Sequence, residues 1–181
     1  MNIKALLPAA LALASLFMLV PGEATAQQLP KLSDAEVAYV AVTANQIDID
    51  YAELARKKSK EADILQFAQT MANDHKAVIG KAAALAKKLG VTPKDNAVSQ
   101  QLSADAAKTR KALQAKSGKA FNKAYIDNEV AYHKAVIAAV EGLLIPETEN
   151  GELKELLQSI VPALKAHLGH AEMVQKKYAG K

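Results

Sequence analysis

The sequence predicts an all-α protein: an antiparallel four-helix bundle with one shorter accessory helix. Three observations carry that expectation. Apolar residues recur three, four and seven apart through four long segments, which places them on one helix face. Ala and Leu, both strong helix formers, dominate, and no segment shows the period-2 alternation or β-branched runs of strands. The connections between long segments are short or moderate, so successive helices fold back on one another.

Residues 1–26 read as a secretory signal peptide. Met1-Asn2-Ile3-Lys4 is a positive start, Ala5 to Val20 is apolar, and Ala24-Thr25-Ala26 is a small-residue cleavage site. The apolar stretch is shorter than the roughly 20 residues of a membrane span. Cleavage after Ala26 predicts a periplasmic or secreted protein without a transmembrane anchor. Residues 27–33 read as a flexible lead-in and 34–178 as a single bundle domain.

Ser33-Asp34-Ala35-Glu36 is a capping box that opens helix one, which runs to about Lys58. Its apolar stripe is Val37, Ala41, Ala44, Asp48, Tyr51 and Ala55, so Asp48 lies within it. Lys57, Lys58 and Lys60 suit a helix C-terminus. Ser59 is placed to cap helix two, with Glu61 and Asp63 in its first turn. Helix two carries Ile64, Phe67, Met71, His75, Val78 and Ile79 and ends at Gly90. Residues 91–98 contain Pro93 and read as a loop. The accessory helix follows, with Leu102, Ala106, Thr109 and Leu113 on one face, and ends at Ser117-Gly118. Helix three spans about Lys119 to Leu144, stopping before Pro146, with Phe121, Tyr125, Glu129, His133 and Val136 on its face. Helix four spans about Gly151 to Tyr178, and Pro162 inside it predicts a kink one turn before His167.

Net charge is +4, and aromatic residues make up 4%. The lysines are interspersed with glutamates along helix faces, without the basic stripe and stacking aromatics of a nucleic-acid binder, so nucleic acid is not an expected partner. A homo-oligomer or an envelope protein is the expected kind of partner. There is no cysteine, hence no disulfide, thiol nucleophile or thiolate ligand. No Gly-rich phosphate loop, G-x-S-x-G elbow or H-E-x-x-H motif occurs.

All four histidines, His75, His133, His167 and His170, fall on apolar helix faces. Histidine is not a favoured interior residue, and its buried nitrogens need partners. The arrangement points to a polar or metal site inside the bundle. Candidate ligands are His75, His133, His167, His170 and Asp48, with Asp74 and Glu129 as carboxylates able to ligate or to orient a ring. Such a set suits zinc, copper or iron rather than calcium or magnesium. Counted from the helix ends, His133 and His167 sit about 12 and 15 residues away, an offset of roughly 5 Å. Asp48 and His75 sit about 11 and 16 residues from the turn near Ser59, an offset of roughly 7–8 Å, which makes Asp48 the least secure ligand.

The chain also resembles a known family, the exported bacterial proteins of domain-of-unknown-function family 4142, placed among ferritin-like helical bundles. The resemblance is carried by Phe67-Ala68-Gln69-Thr70-Met71-Ala72-Asn73-Asp74-His75, by Ser117-Gly118-Lys119-Ala120-Phe121-Asn122-Lys123-Ala124-Tyr125, by His133, and by Val161-Pro162-Ala163-Leu164-Lys165-Ala166-His167. It covers roughly residues 34–177. Asp48 falls where the family tends to carry glutamate, Asn122 where it often carries aspartate, and Val161 replaces a leucine. The resemblance implies a ferritin-like fold and supplies no activity.

Three functions stay open on the residues. The first is an exported protein that binds a transition metal through inward histidines, without catalysis. The second is a structural or envelope-stress interaction bundle whose histidines only tie helices together, to Asp48, Glu129, Tyr51 or Tyr125. The third is a metal-dependent redox enzyme. Against standard di-iron chemistry, Ala72, Val130 and Leu164 stand three before the histidines where Glu-x-x-His would require glutamate.

Overall fold

The computed structural model describes residues 31–179. The expected signal peptide, its cleavage site and residues 27–30 lie outside them. Every element among the described residues is helical: α1 (Asp34–Lys58), α2 (Ala62–Leu89), α3 (Ala97–Gln114), α4 (Gly118–Ala139), a π-helical turn (Val140–Leu144), the single turn α5 (Ile145–Glu147) and α6 (Gly151–Tyr178). None of these helices is long and apolar enough to cross a membrane.

The topology follows from which helix ends share a cluster. One apolar cluster joins the second half of α1 (Ile47, Tyr51, Leu54), the first half of α2 (Ile64, Phe67, Met71), the first half of α4 (Phe121, Tyr125, Ile126) and the end of α6 (Ala171, Val174, Tyr178). The other joins the opposite ends, including Val37, Val40, Ile137, Val140, Leu157 and Leu164. Neighbouring helices are therefore antiparallel, α1 on α2 and α4 on α6, with α2 against α6 and α1 against α4 closing the ring. That leaves α2 and α4 running the same way, so the chain must cross the bundle's length between them. The 18 residues of α3 span about 27 Å and make that crossover, packing against α1 and α4. One long crossover is the ferritin-like arrangement.

Local chemistry sets most boundaries as the sequence indicates. Gly90 takes the left-handed conformation (φ 64°) that ends α2, and Val91 N–H reaches back to the Ala86 carbonyl at 3.0 Å. Asn96 caps α3 by accepting from Val98 and Ser99, so α3 starts two residues earlier than the loop expectation allowed. The Ser33 capping box forms as expected, and the Glu36 carboxylate accepts from both the Ser33 N–H and its hydroxyl. Ser59 is the C-cap of α1, and its hydroxyl accepts from Glu61 N–H rather than capping a later turn of α2. Leu32, in the stretch expected to be a flexible lead-in, is buried in the second cluster.

One departure shapes the interior. The third long helix does not stop before Pro146 but continues through the π turn and α5 to Glu147, with Ile145 N–H bonded to the Val140 carbonyl. Proline has no N–H and its ring collides with the carbonyl four residues back in an α-helix. The wider π turn relieves both conflicts and carries the helix through Pro146. In α6 the helix likewise runs unbroken through Pro162.

Candidate metal centre

Where the two apolar clusters meet, the core is polar. The junction falls between Ala72 and Val78 on α2, Val130 and Val136 on α4, and Leu164 and Ala171 on α6. His75, His133 and His167 stand at these three gaps, all buried, and fully buried Asp48 faces them from α1. The three rings form a near-regular triangle, with centroids 5.3, 5.6 and 5.8 Å apart. One nitrogen from each lies within 4.8 Å of the others. Asp48 Oδ2 lies 3.4 Å from His75 Nε2 and 3.5 Å from His133 Nε2.

The second nitrogen of each ring is committed to a group that can only accept. His133 Nδ1–H donates to the Glu129 carbonyl at 3.0 Å. His167 Nε2–H donates to the Asp74 carboxylate at 2.9 Å. His75 Nδ1–H donates to Asn45 Oδ1 at 2.7 Å. The orientation of that amide is settled by its own Nδ2, which donates to the Ala41 carbonyl at 2.7 Å. The tautomers are thereby fixed, and His75 Nε2, His133 Nε2 and His167 Nδ1 carry lone pairs. All three atoms are buried and without a hydrogen-bond partner, as are both oxygens of Asp48. Unpartnered buried polar atoms each cost roughly 1–3 kcal/mol, and here they converge on one point.

Electrostatics keeps the layer neutral. Burial pushes the Asp48 carboxyl up to about 8. Burial, reinforced by the Asp48 charge, pushes Glu129 well above the carboxylate range. Burial also holds His75 down at about 3, with the charges of His133 and His167 adding to the effect. His133 is held at about 4, again mainly by burial. Protons therefore reside on the carboxyls and the imidazoles stay neutral, the form in which histidine ligates.

Of the sequence-nominated residues, the structure brings together Asp48, His75, His133 and His167. Fully buried Glu129 lies behind His133, with Oε2 3.6 Å from Nδ1, in a second grouping with Asp48 and His133. Half-exposed Asp74 touches the layer only through His167. His170 stands apart, half-buried edge-on against Phe67 at 5.1 Å. Tyr51 does not serve a histidine; its hydroxyl donates to the Ala106 carbonyl.

The offset expected to isolate Asp48 is overturned. The turn occupies residues 59–61, so Asp48 lies ten residues before the end of α1 and His75 thirteen after the start of α2. Three residues are about 4.5 Å of rise. Side chains lean toward their own helix N-terminus, so in this antiparallel pair the two lean toward each other and close the gap.

Asn45 is the participant that sequence reading missed. It lies four after Ala41 and three before Asp48, a polar residue on the same apolar stripe. Asn45→Ala leaves the His75 Nδ1–H buried without an acceptor; we expect a loss of about 1–3 kcal/mol in chemical denaturation of the metal-free protein.

Fold and site together define a helical bundle with a buried histidine–carboxylate layer. The chain belongs to the family described as Domain of unknown function (DUF4142), which matches residues 19–174. Among solved structures it is similar to CopM in the Cu(II)-bound form, with 17% identity, 81% of this chain and 98% of that chain covered, and a TM-score of 0.60. At that identity the likeness is one of fold. No curated protein matches the chain.

Proposed function

We propose that this protein is an exported, non-catalytic binder of one divalent transition-metal ion, held by His75, His133, His167 and Asp48. The observation that carries the reading is the set of three imidazole lone pairs, locked by their outer hydrogen bonds and left unpartnered around a buried carboxyl. A purely structural role would use those nitrogens on other protein groups. Metal-ligating histidines characteristically donate their second N–H to a carboxylate, carbonyl or amide, as all three do here. Zinc–nitrogen bonds of about 2.0–2.1 Å require each ring to move inward by roughly 1 Å, within side-chain freedom. His133 belongs to both groupings of candidate ligands, which favours a single ion.

Imidazole-rich sites take copper, zinc or iron, and the order of divalent affinities places Cu(II) first and Fe(II) below zinc. The Cu(II)-bound state of the similarly folded CopM agrees with that ranking. Export rests on the residue pattern of Met1 to Ala26.

The untagged protein, exposed separately to Cu(II), Zn(II) and Fe(II) and then desalted, should retain about one ion per chain by elemental mass spectrometry. The His75→Ala/His133→Ala double variant should retain none while keeping its helical circular dichroism. Absence of retention in the parent chain refutes the proposal and leaves the histidines as ties between helices.

A further inference from the structure

A cavity of about 230 Å³ lies beside the polar layer, between α1, α3, α4 and α6. Its walls are almost wholly apolar, including Val40 and Leu164, and the wide π turn supplies Val140 and Leu144. The crossover helix α3 closes one side with Val98 and Leu102, both half-buried. Ala135 and Ala139 line it and are exposed, so they mark its mouth. Asp48, His75 and His133 form its polar end.

The chemistry of that end is specific. The free nitrogens of His75 and His133 are acceptors, because the other nitrogen of each ring is committed as a donor. The Asp48 carboxyl carries at most one proton and can donate to only one of them, so at least one acceptor stays open. Beyond that end the walls are almost wholly apolar, and apolar cavities of about 150 Å³ take up benzene. A pocket with apolar walls and acceptors at one end selects an apolar body with a single donor head.

We infer that this cavity binds a compact, ring-sized apolar molecule bearing one hydroxyl, with the ring against Val40, Val140 and Leu144 and the hydroxyl donating to His75 or His133 Nε2. The inference concerns the metal-free protein and stands independently of the metal reading.

The test uses 4-fluorophenol and the isosteric 4-fluorotoluene, followed by fluorine NMR on chelator-treated full-length protein. The phenol should show saturable line broadening and bind about tenfold more tightly than the toluene, as one hydrogen bond to otherwise unpartnered acceptors implies. Ala135→Phe, at an exposed position that leaves the core intact, should fill the mouth and abolish binding of both probes. No saturable binding, equal affinity for the two probes, or binding unchanged in Ala135→Phe each overturns the inference. Because no metal is present, the result is separable from the metal-retention experiment.

Discussion

Asp48→Asn should stabilise the metal-free protein above pH 6.5 and, in the same molecule, weaken metal binding by at least about 100-fold. The first effect follows from linkage. The folded carboxyl titrates at about 8 against 3.8 for the unconstrained group, so its contribution to stability is complete below pH 3.8 and is lost as pH rises toward 8. His75 and His133 have the opposite sign: their folded values of about 3 and 4 lie below 6.5, so they add stability as pH rises to 6.5 and nothing more beyond it. From about pH 4 to 6.5 the two trends oppose each other. From 6.5 to 8 only the carboxyls contribute, and stability falls by about 1.4 kcal/mol per pH unit for each extra proton the folded chain holds. Asparagine cannot ionise, so it removes the Asp48 share of that fall, and its amide can donate to an imidazole lone pair. The second effect follows from removing the only anionic ligand, which should cost no less than losing an outer hydrogen-bond partner does at its upper end. Urea unfolding at pH 5, 7 and 8, with and without zinc, measures both. A variant that is destabilised at pH 8, or that keeps parental zinc affinity, contradicts the assignment of Asp48.

Saturating zinc should raise the melting temperature of the parent protein by about 8–16 °C and release about one proton at pH 7. At a free concentration near 1,000 times Kd, ligation of the folded state alone contributes about 4 kcal/mol, and each kcal/mol is about 2–4 °C for a chain of this size. The proton comes from Asp48, which burial keeps protonated at pH 7 and which must ionise to ligate. Calorimetric titration in two buffers of different ionisation enthalpy counts it. Binding without proton release at pH 7 would mean that Asp48 stays outside the coordination sphere.

The helices were legible because their signals are local. The apolar spacing, Gly90 after α2 and the capping box at Ser33 act within one or two turns. The expected stop before Pro146 failed because a proline in an α-helix and a proline after a π turn differ only in the carbonyl register behind it. No residue pattern near Val140 announces that register. The inward placement of His75, His133 and His167 was legible from spacing, whereas His170, one turn beyond His167, turned out to pack on Phe67. The level of Asp48 is not legible in the sequence because it depends on where the α1–α2 turn ends and on how antiparallel side chains lean.

The sequence by itself determined an all-α bundle, the helix faces and the residue types of a buried histidine–carboxylate site, since periodicity, capping and side-chain chemistry are short-range properties. Only the tertiary structure decided that α3 is the crossover between two parallel-running helices. Only it decided that Asn45, Glu129 and Asp74 fix the three tautomers, and that the freed lone pairs meet at Asp48 beside an apolar cavity. Those outcomes depend on which helices become neighbours and at what height. That choice is made by packing two apolar clusters end to end across residues far apart in the chain, which no local pattern encodes.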